Sequence, residues 1–284
     1  MSDFIYYDLR RRRGKRDIEV LFPDWQGQNE KLMVLSPHDD DALLGAGYAM
    51  AACAANGGEV YVCIFCDGRA GYSREDQKDT IVAVRKEESL RAHRSFGIPE
   101  DHVFYMDYPD FSLISYIGWK LNSGAEGTLK RVISLLRSLG ITRLMIPNGY
   151  NEHIDHQATY DIGRYDGVQA GDPVAVDWGK VCPIQSTVQY AVWGDLSPED
   201  ALLNGDDLNI RANRAIVADY EVEERVEKAL REFQSQGEII KGLMEARRQR
   251  DCGNGMIELY IHMDPRPRLD YGPYVRLIPS LPVE

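Results

Sequence analysis

The sequence predicts an α/β protein: a doubly wound, mostly parallel sheet with helices on both faces, Rossmann-like, with a C-terminal elaboration. Two observations carry this. Short apolar runs of strand length alternate with helix-length segments from residue 31 to residue 147, the pattern of βαβ units. The helical segments also end at glycine or glycine–proline signals, as helices that turn back to a next strand should.

Taken in order, LMVLS (32–36) reads as a buried strand and DALLGAGYAMAACAANGG (41–58) as a helix closed by glycines. EVYVCIFCD (59–67) is the second strand, and IVAVRKEESLRAHRSFG (81–97) is an amphipathic helix stopped by Gly97 and Pro99. HVFYMDY (102–108) forms a third strand, TLKRVISLLRSLG (128–140) a helix, and ITRLMIP (141–147) a fourth strand. Beyond residue 185, TVQYAVWGDL (187–196) and NRAIVADY (213–220) look like further strands. One long helix is expected over 221–250, and ELYIHMD (258–264) is a last strand or covering segment. No boundary interrupts the chain, so residues 1–284 are expected to form one domain, with core motifs in 31–160 and the elaboration over about 185–284.

Composition narrows the function. Of 284 residues, 44% are hydrophobic and 27% charged, which is globular rather than disordered. Thirty-three basic against 45 acidic side chains leave a net charge of −12, which argues against nucleic acid or an anionic membrane as partner. The basic run Arg10 to Arg16 reads as a solvated arm or an edge contact. Five irregularly spaced cysteines suggest reduced thiols. The first thirteen residues have no apolar signal core, and no run approaches the roughly 20 apolar residues of a membrane span. A cytoplasmic protein acting on a small molecule is the expectation, with homo-oligomerisation left open.

Chemistry is expected beyond the C-terminal ends of the parallel strands, where strand order reverses. The loop after the first strand is Ser36-Pro37-His38-Asp39-Asp40-Asp41. It lacks the glycines of a phosphate-binding loop, and three carboxylates would repel phosphate but suit a cation. A helix N-terminus favours an aspartate in any case, so one Asp decides nothing. His38 and Asp41, at i and i+3, can converge on one metal ion. The loop after the fourth strand supplies a second such pair, His153 and His156, with Asp155 between them to hold an imidazole tautomer.

These residues carry a resemblance. His38-Asp39-Asp40-Asp41, followed by Leu44 and Gly45, resembles the His-Pro-Asp-Asp signature of the PIG-L/LmbE-like N-deacetylase family. His153-Ile154-Asp155-His156-Gln157-Ala158 is similar to that family's His-x-Asp-His-x-Ala motif. Arg85 and Glu88 match its Arg-x-x-Glu helix, and Tyr108-Pro109-Asp110 its Pro-Asp turn. Asp39 stands where the family has proline, and Ala42 where it has glutamate. The resemblance spans about residues 31–160. It implies a zinc-dependent amidase, or one using another divalent transition metal such as Fe2+, that removes acetyl from an N-acetylated amino sugar. By the same resemblance His38, Asp41 and His156 are metal ligands and Asp40 is the general base. His153 is then the electrophile or acid partner, Asp155 its holder, and Arg85 and Asp110 fall in the substrate region.

The chemistry is self-consistent. Three protein ligands leave a position open for water, the mark of a catalytic site, and metal binding lowers that water's pKa towards roughly 7. Asp40 can take its proton, and a protonated His153 can stabilise the oxyanion. The alternatives are a metal-dependent hydrolase of another amide or ester, and a non-catalytic carbohydrate- or metal-binding module. Asp40 discriminates, because a binding site needs no base.

Other residues are less informative. Cys63 and Cys66 lie within a strand, so a buried pair is a better reading than a redox motif. Asp67-Gly68-Arg69-Ala70-Gly71-Tyr72 opens at the same end of the sheet, where Arg69 or Tyr72 can contact sugar hydroxyls or simply form a loop. Trp119 and Trp193 are candidate stacking faces for a sugar ring.

Overall fold

The computed structural model describes residues 3–203 and 209–283. The expected doubly wound, mostly parallel sheet is in fact mixed. Nine strands form one sheet, and four of their eight pairings are antiparallel. In chain order these are β1 (Phe4–Asp8), β2 (Arg13–Lys15), β3 (Lys31–Ser36), β4 (Glu59–Cys66) and β5 (Val103–Tyr108), then β6 (Arg143–Pro147), β7 (Ser186–Tyr190), β8 (Arg214–Ala218) and β9 (Met256–Met263). The sheet order is β2-β1-β8-β9-β7-β6-β3-β4-β5.

The parallel half, β5-β4-β3-β6-β7, reverses direction of growth between β3 and β6. The loops after those two strands therefore open side by side, which is where an open α/β sheet leaves a crevice. The antiparallel half is built from the C-terminal segment and the N-terminus. β9 runs back against β7, β8 against β9, and β1 against β8. The Arg10–Arg16 run includes the exposed edge strand β2, where cationic side chains discourage edge-to-edge pairing.

Eight α-helices are described: α1 (Asp41–Ala55), α2 (Ile81–Phe96), α3 (Thr128–Leu139), α4 (Ile154–Asp161), α5 (Pro198–Leu203), α6 (Tyr220–Leu230), α7 (Gly237–Arg247) and α8 (Gly272–Leu277). α1 is apolar all round, and every residue from Asp41 to Cys53 is buried, as such a helix requires. Residues of α1, α2 and α6 share one core with Val34, Val62 and Met145 of the sheet. Residues of α3 and α4 share a second with Met33, Cys63 and Ile146, the alternate positions of the same strands.

Gly45 lets α1 approach the end of β7. A Cβ there would lie 2.4 Å from the Tyr190 ring and 2.7 Å from the Ala191 carbonyl. The long helix expected over 221–250 is two helices. The chain breaks at Phe233–Gln236 because Glu88 of α2 accepts hydrogen bonds from the Ser235 N–H (2.9 Å) and hydroxyl (2.6 Å). A tertiary carboxylate there competes with the helical ladder. Among the described residues, no helix is long and apolar enough to cross a membrane.

Candidate metal centre at the strand-order reversal

The loops after β3 and β6 bring His38, Asp41, His153, Asp155 and His156 together. Asp41 opens α1, and one of its oxygens organises the centre. Oδ2 accepts the His38 backbone N–H (2.9 Å) and lies 3.1 Å from both His38 Nδ1 and His156 Nε2. Two ligands of one tetrahedral ion, at bonds of about 2.0–2.2 Å, are separated by about 3.4 Å. His38, Asp41 and His156 each offer a donor atom within 4.8 Å of the others, so they can share an ion. His156 Nε2 is buried and faces the Asp41 carboxylate at 3.1 Å, a position from which its lone pair can reach a metal once its proton is displaced.

Two further groupings share His38: Cys66 with Asp110, and His153 with Asp155. Their carboxylates are already committed. Asp110 accepts the Gly68 and Ala70 N–H groups, both at 2.9 Å. Asp155 accepts those of Phe111 (2.7 Å) and Leu113 (3.2 Å). Burial, together with Asp155 and Asp110, pushes the Cys66 thiol far above its ordinary pKa, so in the metal-free site it stays a thiol.

The electrostatics fit a site short of positive charge. Burial alone would lower the histidine pKa values, but Asp155 and Asp41 raise His38 to about 10, and Asp41 with Glu152 raises His156 to about 9. Burial would raise Asp41, yet the facing His156 and His38 hold it well below the usual carboxylate range. Asp40 differs. Burial first, then the neighbouring Asp41 and Asp39, pushes it up to about 7, and its side chain makes no capping bond to α1. His153 is lowered by burial and by His38, so it stays a neutral imidazole. Its Nδ1 accepts the Asp155 N–H (3.2 Å) as the N-cap of α4, which leaves the ring proton on Nε2.

Asp155 lies 3.4 Å from His153 Nδ1 and 3.5 Å from His38 Nε2. Its carboxylate faces the His38 ring, whereas it meets His153 through its backbone N–H. Arg85 and Asp110, expected in the substrate region, are turned inward. The Arg85 guanidinium is buried against Asp39, donating from Nε to Oδ2 at 3.0 Å with a second bond to Oδ1. Asp39 therefore neutralises a buried cation. Gly68, at φ +74°, makes room for that guanidinium, since a Cβ there would sit 2.9 Å from Arg85 Cδ. Asp110 ties down the loop over Arg85. Arg69 is exposed and paired with Asp67 at 2.5 Å.

Three residues of the site escaped sequence reading. Glu152 accepts from His156 Nδ1 at 2.5 Å and from the N–H groups of Val192 (3.0 Å), Trp193 (3.3 Å) and Gly194 (2.9 Å). Its i, i+4 spacing to His156 was the available signal. Phe111 holds φ +60°, leaves its ring 62% exposed and sets it edge-on to His153, centroids 4.3 Å apart. Backbone strain of that kind collects at functional sites. Asn151, at φ +51°, bends the loop that carries Glu152. Trp193 stacks on His156 at 5.5 Å and 7°, whereas Trp119 packs edge-on against Trp178.

A histidine–carboxylate cluster that could hold a metal ion therefore lines the crevice at the strand-order reversal. The family model described as PIG-L, GlcNAc-PI de-N-acetylase, matches residues 33–165 of this chain. No curated protein sequence matches it. Among solved structures, it is similar to the N,N'-diacetylchitobiose deacetylase from Pyrococcus horikoshii, with TM-score 0.61, 17% identity, and 87% of this chain and 90% of that one covered. It is similar to GalB, the 4-carboxy-2-hydroxymuconate hydratase from Pseudomonas putida KT2440, with TM-score 0.62, 16% identity, and 85% and 99% covered. The zinc-inhibited form of teicoplanin deacetylase Orf2 gives TM-score 0.52, 18% identity, and 82% and 99% covered. At these identities the likeness is one of fold.

Proposed function

We propose that this protein is a divalent-metal-dependent N-deacetylase that hydrolyses the acetamide of an N-acetylated amino sugar or sugar conjugate. The observation that carries the reading is the convergence of His38 Nδ1 and His156 Nε2 on one Asp41 oxygen, each at 3.1 Å, with Asp40 beside them. The PIG-L match supports the reaction class.

His38, Asp41 and His156 would hold the ion, zinc or another divalent transition metal such as Fe2+. When bound, it supplies a Lewis acid for the acetamide carbonyl and a water of lowered pKa. Asp40, with its pKa near neutrality, accepts the proton of the attacking water and returns it to the departing amine. His153 donates its Nε2–H to the carbonyl oxygen as negative charge develops there. Unlike the protonated form expected from sequence, the neutral imidazole suffices. Asp155 keeps His38 and His153 oriented, and Phe111 closes one side of the acetamide site.

Metal analysis combined with acetate release from a panel of N-acetylated sugars tests the proposal. About one metal equivalent per chain and acetate release abolished by chelator and restored by metal are expected. The GalB likeness shows that the fold also carries hydration chemistry. Metal-loaded protein that releases no acetate from any N-acetylated sugar would overturn the reading.

A further inference from the structure

A cavity of about 370 Å3 lies against the centre, between the start of α1, the 191–194 segment after β7, and the α7–β9 elaboration. Its apolar wall is Leu44, Val192, Trp193, Leu243, Ile257 and Leu259. Two of these lead directly to the metal site. Leu44 follows Asp41 by one turn of α1, and the half-exposed Trp193 ring lies flat on His156.

The charged part of the wall is already satisfied from within. Arg247 donates to Glu223 at 2.8 and 2.6 Å and lies 3.4 Å from Glu258, while Arg250 lies 3.3 Å from Glu258. Two cations therefore face two carboxylates. Both guanidiniums also donate to the Leu44 carbonyl, at 2.5 and 3.3 Å, and the Tyr48 N–H donates to Glu258 at 2.9 Å. The elaboration thus grips α1 through the two atoms of one helical step, which fixes the cavity's shape before any ligand arrives. A neutralised polar floor offers no attraction to an ionic ligand, and with the Gln249 amide and the Trp193 indole N–H as its main uncommitted polar groups, a largely apolar wall offers little to a second sugar ring.

We propose that this cavity receives a neutral, apolar aglycone, aryl or short alkyl, attached to the sugar whose acetamide lies at the metal. The inference rests on the deacetylation reading and narrows its substrate class to hydrophobic glycosides. Trp193 is the shared wall, touching His156 on one side and the aglycone on the other.

The experiment compares N-acetylglucosamine with its phenyl glycoside as substrates of the metal-loaded protein, and follows binding of phenyl glucoside, which has no acetamide, by calorimetry. Ala246→Trp fills the cavity from an exposed position of α7, and Leu259→Glu places a charge at its half-exposed wall. Expected is a kcat/KM about tenfold higher for the phenyl glycoside, the size of effect that partial burial of one ring gives. Either substitution should remove that advantage and the phenyl glucoside binding, leaving turnover of the free sugar within about twofold. Equal turnover of both sugars by the unaltered protein, or equal slowing of both by the variants, overturns the proposal. If neither sugar is deacetylated, the deacetylation reading fails, and the calorimetry still decides the cavity. Binding lost on Ala246→Trp supports the apolar site, and no binding by the unaltered protein overturns it.

Discussion

Glu152 and His156, four residues apart, share a 2.5 Å bond between a carboxylate oxygen and Nδ1, and this bond turns Nε2 of the same ring towards Asp41. The ring's orientation is thus set by a residue that lies outside the His38–Asp41–His156 cluster. Glu152→Gln keeps a hydrogen-bonding partner but removes the charge. Partners of this kind are worth roughly 10–100-fold in metal affinity. A competition titration should show a loss in that range with the circular dichroism spectrum unchanged, and unaltered affinity would remove Glu152 from the site.

Asp40→Asn separates base from ligand. Metal content should stay at one equivalent, while kcat falls by roughly 10²–10⁴-fold, the typical worth of a positioned general base. If Asp40→Asn loses the metal instead, the assignment of ligand and base within the Asp39–Asp41 run is shifted.

Metal loading should depend steeply on pH. With no metal bound, His38 titrates at about 10 and His156 at about 9, so at neutral pH an incoming ion must displace their protons. Apparent affinity should therefore rise from pH 6 to about pH 10 and level off above it, and a flat profile would contradict the ligand set. The same protons stabilise the metal-free fold. Both folded-state values lie above the unfolded value of about 6.5, so the contribution is complete below pH 6.5 and is lost as pH rises through 9 to 10. In chelator, Tm should be lower at pH 10 than at pH 6.5.

The Asp39–Arg85 pair predicts a stability effect. Asp39→Asn leaves the guanidinium buried without a counter-charge, and breaking a buried pair in this way costs about 3–5 kcal/mol. Asp39→Asn combined with Arg85→Met should recover part of the loss. Denaturant unfolding measures both. A single substitution that changes KM without changing stability would return Arg85 to the substrate.

Much of the parallel half of this fold was written in local pattern. The strands LMVLS and EVYVCIFC are apolar on both faces, as strands covered on both sides must be, and the glycines at 97 and 140 end α2 and α3 with φ of +105° and +70°. The antiparallel half was not legible in this way. β1 alternates buried and half-buried residues over only five positions, and it pairs with a strand more than two hundred residues away. The break between α6 and α7 lies in a sequence that reads as helix, and only Glu88, brought from α2, competes for its backbone donor.

The site divides along the same line. The sequence by itself determined which side chains can meet a metal, because His38 with Asp41 and His153 with His156 are each one turn apart and each follow a strand of the parallel sheet. Which charges are neutralised within the protein and which remain for chemistry was decided only by tertiary structure. Asp39, Asp40 and Asp41 are consecutive carboxylates with the same intrinsic acidity. Arg85 claims the first, the two histidines claim the third, and Asp40 is left without such a partner, half-buried beside two like charges. Burial and neighbouring charge, which no local pattern encodes, set that difference.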